Sequence, residues 1–555
     1  MTDSTNRAEG DQRFATRSFA AWRRDAVVCL SLANLFFLPG WDELFSYRSI
    51  VDILLVRKTI PEPVDDLAVM TVVVLLAALL FGAVSLAKRY LKDSGFLAVP
   101  AAAVVLGAIP VIGLRWRLEG TILDLNSPLI ARIGYRAVML LMVMGLTPLL
   151  WPAWKYRRFL SRVAGAILVV VSPFCVLTFG QAMWEMARYK GQPYRDGPLA
   201  PRLATTPTSQ RLVWIIYDEW DYRLTFVDRP AGLAMPAIDR LRGESLLATG
   251  AESPGPNTRE SLPGLITGRR MTALIDPSAQ TIFLEPSGKV DAKPVRWGDD
   301  NSIFTAVRKS GFNVGLVGWY LPYCRFMNGP LSECAWWAAP FRHNAVGCHY
   351  LAGLLGTGFW GRVGDYVVSL FETYNCFWFW KQTSAARYKG RMLREYMTEA
   401  KRQVADPGLG LVFLHVPVPH GPHPYNRLTG RMDSTKDLLA IGYVDSLALM
   451  DQMMGELRAA MEANRTWDRT VLLISADHPF RVSRALDGKF DPRVPFMLRF
   501  PGRPTAGVYT PEFNTIITAN LIYAIINGSV STVSGASNWL DRHRRERESP
   551  VAARN

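Results

Sequence analysis

No two of the six cysteines in this 555-residue chain stand as CxxC. That excludes a zinc-finger framework, whose ligands come in such pairs. Histidine is also scarce, at seven residues, so a histidine cluster carries weight. No internal repeat and no low-complexity block occurs, which excludes solenoid and biased-composition classes. Acidic residues are too few to balance the basic ones, 48 against 63, and the formal net charge is +15. Such an excess suits a phosphate-binding face. Here much of it lies between apolar segments and in the tail Arg542-His543-Arg544-Arg545. It reads as membrane-proximal charge, and no nucleic-acid partner is expected. Nothing before Arg23 resembles a charged n-region followed by a cleavage site, so the first apolar stretch reads as an anchor.

Apolar sequence is concentrated in the first third. Five stretches, near 25–41, 68–87, 94–113, 131–152 and 162–183, meet the roughly 20-residue requirement for a membrane span. Arg7, Arg13, Arg17, Arg23 and Arg24 precede the first. Lys88, Arg89 and Lys92 follow the second, and Lys155, Arg157, Arg158 and Arg162 follow the fourth. Those are alternate loops, so the positive-inside rule places the N-terminus in the cytoplasm and the chain after about 187 outside. The intervening loops 39–63 and 115–128 carry Trp41, Tyr47 and Trp116, which suit interface anchoring. The expected organisation is a five-span membrane domain over 1–186, a linker over 187–209, an exported domain over 210–535 and a polar basic tail over 536–555. Cys324, Cys334, Cys348 and Cys376 fall in the exported part, where an oxidising compartment permits disulfides in any of three pairings.

The exported part alternates strand and helix patterns. Leu212–Tyr217, Gly315–Val317, Leu411–Leu414 and Val471–Ser475 read as buried strands of a mostly parallel sheet. Val494–Phe500 reads as a strand near an edge, because Pro495 and Pro501 interrupt it. Helices are expected over Ser261–Thr267, Ser302–Lys309 and Leu438–Met461. The aromatic segment Leu351–Trp380 reads as a helix lying on the bilayer, a lid, or a core helix. The expected class is α/β, a multi-span helical domain followed by a domain with a central, mostly parallel sheet.

Three separated segments converge on one sheet edge in such a fold. The first strand ends in Asp218-Glu219, and the last parallel strand ends in Asp477-His478. Between them in sequence lies Asn257-Thr258-Arg259-Glu260-Ser261-Leu262-Pro263. Hard carboxylate oxygens, an imidazole nitrogen and the Thr258 hydroxyl make a shell fit for one zinc or manganese ion. A hydroxyl beside a metal attacks at neutral pH, so Thr258 reads as nucleophile of a phosphoryl or sulfuryl transfer. The run His415-Val416-Pro417-Val418-Pro419-His420-Gly421-Pro422-His423 follows a strand. His420 is the candidate catalytic contact, and His415 and His423 are candidate substrate contacts.

These motifs resemble the alkaline phosphatase and sulfatase superfamily, and within it the membrane-bound phosphoethanolamine transferases and lipoteichoic acid synthases. The Thr-x-x-Ser-x-Pro pattern is similar at Thr258, Ser261 and Pro263. Leu414-His415 and Pro419-His420-Gly421-Pro422 resemble the transferases' histidine motifs. Arg493-Val494-Pro495-Phe496, continuing to Gly502, resembles the family's C-terminal motif. The resemblance implies Thr258, Asp218, Glu219, Asp477 and His478 as metal ligands. It implies Asn257, Arg259, Ser261 and Arg493, with His415 and His423, as substrate-binding residues. It also implies a bacterial inner-membrane enzyme with a periplasmic catalytic domain. Such an enzyme moves a phosphoglycerol or phosphoethanolamine head group from a phospholipid donor, through a phospho-threonine, to an envelope glycan or glycolipid. The alternatives are a membrane-anchored phosphoester or sulfate-ester hydrolase and a non-catalytic assembly protein. Two departures bear on this. Pro479 replaces the glycine after Asp-His, and no histidine follows before His543, so a second metal is not expected. Formylglycine sulfatases carry Cys or Ser where this chain has Thr258, and Arg where it has Leu262.

Overall fold

The computed structural model describes residues 3–49, 61–90, 144, 151–152, 155–191, 195–204, 211–275, 282–286, 293–298, 302–338, 358–374, 384–432, 439–502, 505–548 and 550. The chain divides into two units, one formed by 1–49, 61–191 and 346–379, the other by 50–60, 192–345 and 380–555.

The second unit is built on the continuous apolar runs. Strand β1 is Arg211–Asp218, β2 Leu246–Ala248, β3 Ala251–Glu252, β4 Met271–Ile275, β5 Ile282–Pro286, β6 Val295–Arg296 and β7 Val314–Trp319. Then come β8 Glu333–Trp337, β9 Leu411–Pro419, β10 Thr470–Ala476, β11 Phe496–Arg499, β12 Gly507–Tyr509 and β13 Phe513–Asn514. Eight of them form one sheet in the order β12-β2-β11-β10-β1-β9-β7-β8. The five strands from β10 to β8 are parallel throughout. Every residue of β1, β9 and β10 is buried. A strand covered on both faces needs apolar side chains on both, which is why these runs do not alternate. Parallel register brings the C-terminal ends of β1, β9 and β10 to one edge, Ile216 beside both His415 and Ser475.

Helices Ile303–Lys309 and Leu439–Ala463 lie where the periodicity places them. The helix after the nucleophile starts earlier than expected, at Thr258. Strand β11 is not near an edge: it pairs antiparallel with β10 and with β2, and β12 lies beyond. Pro495 sits just before β11, where its carbonyl accepts from Ser475 Oγ at 2.8 Å, so it interrupts no ladder. The expected polar tail also contains structure. Helix Val533–His543 buries Ala536, Trp539 and Leu540, and Tyr509 Oη donates to Asp541 at 3.0 Å. Cys324 and Cys334 form a disulfide, while Cys348 and Cys376 lie outside the described residues.

The first unit is helical. Two described segments are long and apolar enough to cross a membrane by length and composition, Pro63–Tyr90 and Arg158–Arg188. The 28 residues of the first reach roughly 42 Å, more than the ~30 Å hydrocarbon core. Asp65 and Asp66 in its first turn and Lys88 and Arg89 in its last complement the helix dipole. A five-span bundle is not what the described residues show. The expected spans at 94–113 and 131–152 fall almost wholly outside them, and the first region is two helices, Asp3–Phe36 and Leu38–Ser49. Trp41 is no interface anchor. It is buried, donates to Asn34 Oδ1 at 2.8 Å and packs on Phe45 and Phe179. Trp116 lies outside the described residues. The aromatic segment yields helix Phe359–Tyr374, whose Val363 and Tyr366 join the core of this same unit. Its Arg362 pairs with Asp65 at 2.6 Å and Glu62 at 3.0 Å.

Candidate active site

Helix Thr258–Thr267 begins where Asn257, in extended conformation, caps it by accepting from the Glu260 N–H. The cap is reciprocal, because Asn257 Nδ2 donates to Glu260 Oε1 at 2.7 Å. Ser261 Oγ donates to the Gly255 carbonyl at 2.7 Å and accepts from the Gly255 N–H at 3.1 Å, which fixes the approaching loop. These bonds set Thr258 at the first helical position, with Oγ1 donating to Asp477 Oδ2 at 2.8 Å and lying 3.4 Å from His478 Nε2. Asn257 and Ser261, expected as substrate contacts, have their side chains bonded to Glu260 and to the Gly255 backbone. Arg259 is half-buried at the helix start.

Asp218, His415 and Asp477 each present a ligand atom within 4.8 Å of the others. His478 Nε2 stands 3.7 Å from Asp218 Oδ1 and 3.4 Å from Asp477 Oδ2. Asp477 Oδ1 accepts from the N–H groups of Glu219 at 3.2 Å and His478 at 2.8 Å, which aims Oδ2 at the centre. His478 Nδ1 faces the Pro479 carbonyl at 3.0 Å. A carbonyl only accepts, so Nδ1 carries a proton and Nε2 is the nitrogen turned to the cluster.

Two buried atoms in this cluster, Asp218 Oδ1 and His415 Nε2, have no hydrogen-bond partner. Orphaned buried acceptors are costly. Burial, then the charges of Asp477 and Glu219, push the Asp218 carboxyl well above the usual carboxylate range. A divalent cation answers all three features, supplying the missing partner and the missing charge. Carboxylate oxygen with imidazole nitrogen fits zinc or manganese equally, so the donor set supports one divalent metal without choosing between them.

The placement corrects several expectations. His415, read as a substrate contact, stands inside the metal cluster. Burial pushes its imidazole down to about 4, keeping it neutral as a ligand must be. Glu219, read as a ligand, pairs through Oε1 with Arg481 Nη2 at 2.9 Å, and its charge acts on Asp218. Its backbone serves the site as well. Glu219 holds φ 65°, a region unfavourable for a non-glycine residue. There its N–H reaches Asp477, and its carbonyl accepts from Tyr443 Oη at 2.7 Å. His423 is buried with Nδ1 2.9 Å from Ser446 Oγ and Nε2 without a hydrogen-bond partner, outside the metal cluster. Arg493 is bidentate on Asp491, donates to the Thr249 carbonyl and covers the Tyr222 ring. His420 remains a candidate. Its Nδ1 faces the Gly421 carbonyl at 2.6 Å, leaving Nε2 with a lone pair, and burial lowers its pKa.

Two residues escaped the sequence reading. Tyr323 Oη lies 2.9 Å from His415 Nδ1. Lys389, fully buried on helix Ser384–Ala405, donates from Nζ to the His420 carbonyl and stands over the Trp319 ring. Burial pushes the Lys389 ammonium down to about 7, against the opposing pull of Asp218 and Glu219. The available signal was positional. Lys389 falls on the stripe Ala386, Leu393, Tyr396, Met397 and Ala400, where a lysine has no reason to be unless a charge awaits it.

The family model described as Sulfatase matches residues 210–527. The chain belongs to the sulfatase family. The match spans β1 to the helix Thr518–Ile526 and so contains every residue of the cluster. Among solved structures, this sulfatase-family chain is similar to Ps i-CgsB bound to k-i-k-neocarrahexaose, at 15% identity, 59% of this chain, 74% of that one and TM-score 0.39. It is similar to the phosphonate monoester hydrolase of Agrobacterium radiobacter at 14% identity, 57% and 74% coverage and TM-score 0.38. It is similar to that of Silicibacter pomeroyi at 14% identity, 62% and 78% coverage and TM-score 0.38. The curated proteins give no match.

Proposed function

We propose that this chain is a metal-dependent phosphoester hydrolase in which Thr258 is the nucleophile. The carrying observation is Thr258 Oγ1 at 2.8 Å from Asp477 Oδ2, beside a cluster with two orphaned ligand atoms. Asp218, His415, Asp477 and His478 would hold the metal. When bound, a zinc or manganese ion supplies Lewis acidity toward the Thr258 hydroxyl and the transferring group. Thr258 donates its proton to Asp477 as the Oγ1–P bond forms and the ester P–O bond breaks, and the leaving oxygen takes up a proton from solvent. In the second step the water O–P bond forms, the Oγ1–P bond breaks, and Oγ1 recovers its proton from Asp477. His420 suits that step: its Nδ1–H is held by the Gly421 carbonyl, and burial keeps it neutral, so Nε2 accepts the proton of water. A phosphate ester is preferred to a sulfate ester because Thr258 stands where formylglycine enzymes carry Cys or Ser.

A second reading replaces water with a hydroxyl of an envelope glycan or glycolipid and takes the head group from a phospholipid. What favours it is the pair of apolar segments, with Leu79, Val170 and Val176 all more than 70% exposed. In that reading the chain sits in a bacterial inner membrane with its catalytic unit on the periplasmic side.

The test is incubation of the metal-loaded full chain with a chromogenic phosphodiester, a chromogenic sulfate ester and mixed phospholipids, followed by peptide mass spectrometry. Phosphoester cleavage with a phosphoryl adduct on Thr258, absent from T258A, supports the proposal. Full turnover by T258A, or faster cleavage of the sulfate ester, defeats it. An adduct carrying a phosphoglycerol or phosphoethanolamine mass moves the reading to transfer.

A further inference from the structure

We propose that Tyr323 is a positioning residue for the metal site, holding His415 with its Nε2 lone pair turned to the cluster, and that the Cys324–Cys334 disulfide holds Tyr323 in turn. The proposal rests on the metal reading above.

His415 is fully buried and has two ring nitrogens. Nε2 faces Asp218 Oδ2 at 3.8 Å and has no hydrogen-bond partner. Nδ1 lies 2.9 Å from Tyr323 Oη. An imidazole can ligate through Nε2 only if Nδ1 carries the proton, and that proton then needs an acceptor. Tyr323 Oη is the side-chain partner placed there, beside a backbone hydrogen bond to Trp319. The ring planes of Tyr323 and His415 are nearly perpendicular, at 88°.

Tyr323 has little freedom to do otherwise. Its ring lies over β7 at Gly318, where a Cβ would come within 2.4 Å of Tyr323 Cδ2. Only glycine leaves room for the ring there. The next residue, Cys324, is bonded to Cys334 on β8, and its carbonyl accepts from the Gly197 N–H at 3.0 Å. The turn bearing Tyr323 is therefore tied covalently to the neighbouring strand and by a hydrogen bond to the segment entering the unit. Lone ring packing would explain the glycine, but not a hydroxyl placed on Nδ1 of the histidine whose unpartnered Nε2 lies in the metal cluster.

The experiment is metal titration of the full chain after chelator treatment, using cobalt(II) alone for its visible absorption and zinc(II) alone in competition with a chromogenic chelator. Wild type, Y323F, G318A and the C324S/C334S double variant are compared. G318A keeps the hydroxyl but displaces the ring, and it stands in if Y323F does not fold. Outer-shell partners of metal-bound histidines contribute roughly 10–100-fold in affinity. Y323F and G318A are expected to bind zinc at least tenfold more weakly and to shift the cobalt spectrum. The cysteine variant shifts in the same direction by less. Wild-type affinity and an unchanged cobalt spectrum in Y323F or G318A would overturn the inference while leaving the metal site standing. No cobalt or zinc uptake by wild type would instead remove the metal reading, and this inference with it.

Discussion

Replacing Asp218 with asparagine separates the metal's role from that of the fold, because the two respond in opposite directions. In the metal-free protein the Asp218 carboxylate is buried, leaves Oδ1 unpaired and stands within 4.8 Å of an Asp477 ligand atom. Two like charges at that distance repel by about 3 kcal/mol at an effective dielectric near 20. Its pKa is raised above 3.8, so between that value and the folded one the native state holds a proton that the unfolded chain has released. Stability therefore falls as pH rises through that window, and the full penalty is present above it. D218N is nearly isosteric and removes the charge. The metal-free variant should be more stable than wild type by about 1–3 kcal/mol at pH 8, visible as a rise of roughly 2 °C or more in the unfolding midpoint. Zinc should reverse the order. At 100 times its Kd, a ligand specific for the native state stabilises by about 2.7 kcal/mol. Wild type should gain that amount, and D218N, at the same zinc concentration, well under half of it. Thermal unfolding followed by fluorescence, in chelator and then in zinc, reads both effects. A metal-free D218N that melts below wild type, or one that gains as much from zinc, would refute the reasoning.

T258A should lose turnover by on the order of 10³-fold or more, since the attacking atom is gone, while its zinc affinity falls by less than that of D218N in the same titration. K389M removes the donor on the His420 carbonyl. A loss of kcat on the order of 10²-fold with little change in KM is expected if His420 acts in proton transfer, and an unchanged kcat would count against that role. Burial holds the His423 imidazole down at about 3, below its usual 6.5. The unfolded chain then binds the proton first, so stability should fall as pH drops from about 6.5 toward 3, by at most about 1.4 kcal/mol per pH unit. H423Q should flatten that slope in denaturant titrations run at several pH values, and an unchanged slope would assign it to another group.

The strands of the catalytic unit and the order of its motifs were legible because they depend on local pattern. A strand buried on both faces must be apolar along its length, and Asp218, His420 and Asp477 stand at or just beyond the ends of such runs. Parallel pairing then brings those ends to one edge. Thr258 was legible from the Thr-x-x-Ser-x-Pro pattern lying between the two strand-end motifs, but the Asn257 cap that starts the helix at Thr258 instead of Ser261 was not read. What the local pattern did not decide is which side chains turn inward. Glu219 adjoins Asp218, yet a left-handed backbone at Glu219 sends its N–H to Asp477 while its carboxylate pairs with Arg481. His415, His420 and His423 share one short run, but strand pleat, cluster edge and helix contact give them three different surroundings. Lys389 and Tyr323 reach the site from a helix and a turn far along the chain, and only close packing brings them there. The helix Phe359–Tyr374 makes the same point for the other unit. Composition marked it as apolar, but its partners, Asp65 and the helices of the N-terminal third, are chosen by long-range burial and charge. Sequence alone therefore determined the elements and the chemistry available at their ends. Tertiary structure decided which of those groups became ligands, because ligation depends on angles and burial set by residues hundreds of positions away.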